Sequence, residues 1–174
     1  MSIATRRSRT SSQSPRTVRT ATAIGAVSLG LLALSACEKP TPMVTATVGS
    51  DAVSSEAACY DDGKAIPEKD VRSCMSETPG KSVTISSGDK LRVGVDPEMA
   101  DHGWLVLVDG KPAMSDAMKK TYYSFQGEAF FQEQPTPGQQ PKAPKKSVKL
   151  SVAEVTDGQF TGIWHFTVKN DAAS

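Results

Sequence analysis

The sequence predicts a mainly β protein: an antiparallel β-sandwich of immunoglobulin-like or cupredoxin-like outline, carrying one short disulfide-stapled helix. Three observations lead there. Short runs of alternating apolar and polar residues recur after residue 43, the period-2 signature of half-buried strands. Gly-containing pairs that accept positive φ punctuate these runs. A single helical pattern interrupts them, and it ends on a cysteine.

The alternation starts with Val44, Ala46 and Val48 set between Thr45 and Thr47, and Gly49-Ser50-Asp51 is a turn. Residues 53–60 fit either a second strand or a short helix. Residues 67–74 read as a helix, with Pro67 at its first turn and Glu68 and Asp70 near its positive end. Val83 and Ile85 resume the β pattern, Ser87-Gly88-Asp89 turns the chain, and Leu91, Val93 and Val95 alternate again. Residues 96–103 are expected to be a solvated acidic loop. Trp104 to Val108 is apolar on both faces, as in a central strand covered on both sides. Asp109-Gly110 is a hairpin signal, 121–126 is another strand, and Val148, Leu150 and Val152 form the next. After Asp157-Gly158, residues 160–168 close the chain, with Phe160, Gly162, Trp164, Phe166 and Val168 on one face. His165 falls on the other face, beside Thr residues, and is expected to meet solvent.

One segment departs from this pattern. Residues 132–147 contain Pro135, Pro137, Pro141 and Pro144, and are expected to be a long mobile loop. The sandwich is assigned to 43–170, with a disordered tail at 171–174.

The first 36 residues carry a different message. Arg6, Arg7, Arg9, Arg16 and Arg19 precede an uncharged run from Ala21 to Ala36. That run is short of the roughly 20 residues a membrane-crossing helix needs, and a basic stretch followed by a short apolar one is the layout of an export signal. Leu34-Ser35-Ala36-Cys37 resembles the lipobox of bacterial lipoproteins, in which small residues fit the signal peptidase and the cysteine thiol takes a diacylglycerol. The expectation is a lipoprotein signal at 1–36, a lipidated Cys37 and a tether at 37–42. The protein would then sit on the extracytoplasmic face of the cell membrane. Polar Ser8 and Arg9 after Arg6-Arg7 favour general secretion over twin-arginine export.

Removing residues 1–36 from the 174 leaves 138, enough for one domain with a real core. It also takes five of the 20 basic residues, leaving 15 against 19 acids and a net charge of −4. Nucleic-acid binding, which needs a basic footprint, is not expected. With Cys37 committed to lipid, Cys59 and Cys74 remain, and outside the cytoplasm such a pair normally oxidises.

Chemistry is sparse. Gly80-Lys81-Ser82 looks like the end of a phosphate loop, but Met75 stands where its first glycine belongs. A copper site of the cupredoxin type needs two His and a Cys, and residues 160–168 offer only His165. Neither metal nor cofactor is expected. The polar and aromatic candidates for a binding surface are Asp96, Glu98, Asp101, His102, and one of Tyr122 or Tyr123. Sandwiches commonly bind through the loops at one end, so 96–103 and the hairpin at 109–112 are expected to form that surface. The favoured function is a non-catalytic binding module of the cell envelope, engaging an envelope protein, a lipid or a small ligand. The competing class is a small extracytoplasmic metal-handling protein or a hydrolase of unrecognised type.

Five stretches carry a resemblance: LSACEKPTP (34–42), AACYDDGKA (57–65), GVDPEMADHGWLVLVDGKP (94–112), KKTYYSF (119–125) and GIWHF (162–166). Through them the chain resembles small lipoproteins of actinobacteria that carry a domain of unknown function. The likeness implies a lipid-bearing Cys37 and implies no catalytic residue.

Overall fold

The computed structural model describes residues 41–132 and 142–173. The expected signal, the Cys37 expected to carry lipid and the middle of the proline-rich segment lie outside the described residues.

Two sheets pack face to face. The first consists of β1 (Val44–Val48), β2 (Asp51–Ser55), β5 (Lys90–Val95) and β8 (Tyr122–Gln126), in the order β2-β1-β5-β8. The second runs β3 (Cys59–Tyr60), β10 (Gln159–Asn170), β9 (Ser147–Thr156), β6 (Trp104–Val108) and β7 (Lys111–Pro112). The short β4 (Ser82–Ile85) joins the same long β10 in parallel register, further along from β3. All other pairings are antiparallel.

Period-2 patterning sets which side chains meet between the sheets. Val44, Ala46, Leu91 and Val93 from the first face Val106, Leu150, Val152, Trp164 and Phe166 from the second, all within one buried cluster. A second cluster lies on the outer face of the six-stranded sheet, where Leu107, Ala153 and Ile163 pack with Ile66 and Cys74. Trp104 to Val108 is therefore covered on both sides, as its unbroken apolar run predicts.

The cover over that outer face is α1 (Glu68–Ser76), which begins after Pro67 and carries Glu68 and Asp70 in its first turn. Its buried residue is Cys74, bridged to Cys59 on β3 with 5.8 Å between the Cα atoms. The bridge staples helix to sheet.

The structure corrects several expectations. Residues 53–60 are neither one strand nor a helix: β2 ends at Ser55, and Cys59–Tyr60 belongs to the other sheet. The acidic loop at 96–103 is largely helical, forming α2 (Pro97–His102). Pro97 presets its first turn, Met99 and Ala100 supply a buried face, and Gly103 leaves it at φ 124°. A β-bulge between Phe160 and Gly162 shifts the alternation, so Phe160 packs against the outer cluster rather than beside Trp164. His165 is 3% exposed instead of solvent-facing, because α1 covers the face to which it points. Asp171–Ala173 forms a 3-10 turn, anchored by Ser86 Oγ donating to Asp171 at 3.3 Å. Near the proline-rich segment, Lys145 donates its backbone N–H to the Phe131 carbonyl at 3.0 Å, and Ser147 already belongs to β9.

Candidate functional site

The residues singled out from the sequence gather mainly where the chain enters the sandwich. β1 starts there, with Val44 opposite Val95, and one position back Gly94 stands opposite Tyr122. The Val95 N–H donates to the Thr121 carbonyl at 2.8 Å, which locks the start of β8 to the end of β5. Asp96 follows at once, and its carboxylate accepts the Met43 N–H at 2.9 Å. Pro42 is held as well, its carbonyl accepting from Trp164 Nε1 at 2.9 Å. Asp96 is thus committed to seating the incoming chain.

α2 extends from Asp96 with Met99 fully buried, while Glu98 and Asp101 point to solvent. His102 ends the helix. Its Nδ1 lies 2.6 Å from Glu154 Oε1, and Glu154 is 1% exposed. Glu154 stands opposite Trp104 on β6 and Gly162 on β10. Its second oxygen, together with the hydroxyls of Thr156 and Thr161, has no hydrogen-bond partner among the described residues. Thr161 is the extra residue of the bulge opposite Glu154. Three buried polar atoms thus sit on neighbouring positions of one hairpin. Among the described residues, no group of three or more His, Cys, Asp and Glu side chains is arranged to hold a metal ion.

The aromatic candidates stand on β8, an edge strand. Tyr122 is 67% exposed and Tyr123 41%. Neither turns into the core; the Tyr123 ring instead meets Phe125 edge-on at 4.9 Å, and Phe125 leans on Phe130 at 5.5 Å. An open hollow runs along the strand, lined by residues 120–124 from Lys120 to Ser124.

The hairpin at 109–112 is not part of this end. α2 leads into β6 and the hairpin leaves it, so the two lie at opposite ends of that strand. Asp109 does structural work there: its carboxylate accepts from Lys145 Nζ at 2.8 Å and from the Lys149 N–H at 2.9 Å. Partial burial acts to raise its pKa, but those two hydrogen bonds and the two lysine charges outweigh it and hold the carboxyl below its ordinary value.

No family model matches the chain, and no curated protein matches it. Among solved structures it is similar to the fibronectin(III)-like modules of Clostridium thermocellum CbhA. That likeness has a TM-score of 0.34 and 15% identity, over 53% of this chain and 89% of the other.

Glu154 was the site residue hardest to foresee, yet a signal existed. Val148, Leu150 and Val152 point inward, which makes 154 the next inward position of the same strand. A charged residue in that phase marks a buried, partnered carboxylate.

Proposed function

We propose that the chain is a lipid-anchored extracytoplasmic binding module of the cell envelope, held at the membrane through Cys37 and working without catalysis. The observation that carries this reading is the pair of exposed tyrosines on the free edge of β8. Large aromatic side chains left in water on a rigid strand are the usual anchors of a binding surface, because they bring contact area at little entropic cost. The Cys59–Cys74 bridge supports an exported location, since such bonds persist in oxidising compartments. The lipobox residues Leu34 to Cys37 and the basic stretch before them support the anchor.

A photoreactive amino acid placed at position 122 tests the surface in living cells, with position 111, exposed at the far end of β6, as the control. A specific crosslinked product from 122 and none from 111 is expected. Equal products from both positions, or none from either, contradict the reading.

A further inference from the structure

Among the described residues, no strand pairs with the outer side of β8. Along an antiparallel pair the hydrogen bonds alternate, so every second residue turns its N–H and C=O away from the neighbouring strand. The Val95 N–H donates to the Thr121 carbonyl, and the Gly127 N–H to that of Asp89. In the register that sets Leu91 opposite Phe125 and Val93 opposite Tyr123, this phase turns the backbone of 123 and 125 toward β5. The N–H and C=O groups of Tyr122, Ser124 and Gln126 therefore face the open edge.

Natural proteins blunt such edges with charge, proline or a bulge. β7, at an edge of the other sheet, is Lys111–Pro112, and β2, at the far edge of this one, opens on Asp51. β8 has none of these devices. It reads Tyr-Tyr-Ser-Phe-Gln, and its register with β5 is unbroken.

The edge is also complementary to itself. A two-fold axis at Ser124 sets Ser124 opposite Ser124 of a second copy, and Tyr122 opposite Gln126. Those pairs use every outward N–H and C=O of the strand, each exchanging both hydrogen bonds. The same register puts Tyr123 directly opposite Phe125. Both lie in the inward phase of the sheet, opposite Val93 and Leu91, yet Tyr123 is 41% exposed. Cross-strand pairing continues the ring contacts of Tyr123, Phe125 and Phe130 over the axis.

Charge fits this arrangement. The exposed Lys120 precedes the strand and the exposed Glu128 follows it, so the rotation brings a cation of one copy to a carboxylate of the other. Glu128 is held in place by Ser87 Oγ and the Gly88 N–H, which both donate to its Oε1. The other nearby acids lie one strand in from the edge, where Asp96 accepts from Met43 and Asp89 from Ser86. Arg92 is also one strand in, opposite Ser124. Across the axis its two copies stand about 14 Å apart, beyond the screening length at physiological salt.

We infer that β8 pairs antiparallel with β8 of a second copy of this chain, centred on Ser124, so that two four-stranded sheets become one. The inference rests on the reading of the β8 surface as the binding surface and names its partner. A pairing of five-residue strands falls among the small, transient interfaces. It is therefore a weak contact, strengthened where both copies are held on one membrane.

Sedimentation equilibrium of the processed full chain in density-matched detergent should show a mass that rises with concentration from one chain to two. Ser124→Glu places a carboxylate opposite Arg92 of its own chain but sets two carboxylates face to face across the axis. It should weaken association at least about tenfold, and Ser124→Lys should do the same, both with wild-type circular dichroism. An equimolar mixture of the two variants should associate again. In the exported protein, Ser124→Cys should give a disulfide-linked product of twice the chain mass, because the Cα atoms of such a pair lie about 5.5 Å apart. Lys111→Cys, exposed on β7, should give none. A single-chain mass at every concentration up to the millimolar range, undiminished association of Ser124→Glu, or a mixture no better than its components overturns the inference. A crosslink from position 122 to a protein of another mass overturns the second copy as partner and leaves the surface. A single-chain mass together with no crosslink from 122 overturns both.

Discussion

His165 donates from Nε2 to the carbonyl oxygen of Cys74 at 2.8 Å, joining residues 91 positions apart. A carbonyl only accepts, so Nε2 carries the hydrogen. Nδ1 then accepts from the Ser151 hydroxyl at 2.9 Å. The ring is neutral and fully satisfied, and it fixes the disulfide-bearing end of α1 to the sheet. Replacing His165 with Leu leaves Ser151 and the Cys74 carbonyl without it, at a cost of about 1–3 kcal/mol in urea unfolding. An unchanged midpoint would contradict this role.

The same imidazole makes stability depend on pH. Burial pushes its pKa below 6.5, helped by the charge of Lys149 and opposed by the Cys74 carbonyl and Glu77. The unfolded chain therefore binds a proton near 6.5 that the folded chain refuses until lower pH. This contribution is fully present above 6.5 and declines as pH falls towards the folded value. Unfolding free energies measured across that window should fall as the pH is lowered in the wild type, with a smaller slope in His165→Gln. Equal slopes would assign the effect to other groups.

Cys59 and Cys74 close a loop of 15 residues, for which chain entropy gives about 3 kcal/mol. The double Cys→Ala variant should lose roughly that much in denaturant titration while keeping the sandwich. The greatest loss of hydrogen-exchange protection should appear over α1, since the bridge and His165 both hold that helix to the sheet. Uniform loss across both sheets would show that the bridge supports the whole fold instead.

Glu154 depends on His102. His102→Ala leaves the Glu154 side chain, 1% exposed, without its hydrogen bond to the imidazole, and should cost about 1–3 kcal/mol. Adding Glu154→Leu should restore part of the loss, because an apolar group needs no such partner. A double variant whose loss equals the sum of the singles would contradict the coupling.

At Gly162 a Cβ atom would fall 2.4 Å from the edge of the Trp164 ring and press on Tyr60 at 3.1 Å. Gly162→Ala should therefore displace the indole and strain its hydrogen bond to Pro42, costing about 1–3 kcal/mol. A shift in tryptophan emission should accompany the loss. Unchanged emission and stability would show that the bulge absorbs the methyl group.

Much of the sandwich was legible because alternation reports burial directly, as at Val44–Val48 and Lys90–Val95. The rest is set by distant parts of the chain. The position of His165 in its strand shows which face it occupies, but not that α1 would cover that face. α2 hid because six residues hold too little periodicity, and Pro97 with the acids reads equally as a loop. The bulge at Thr161 changes the phase by one residue, which moved Phe160 to the wrong face in the sequence-based expectation. The tyrosines were recognised as a pair that cannot share an interior; that both stand in solvent follows from β8 being an edge, a fact of sheet order.

Metabolic labelling with a clickable palmitate analogue in cells of the native host tests the proposed lipid anchor at Cys37 most directly. Wild-type protein should carry the label and sediment with membranes, whereas Cys37→Ser should lose the label and keep an unprocessed amino terminus. Undiminished label in Cys37→Ser, or wild-type protein that carries none, would contradict it.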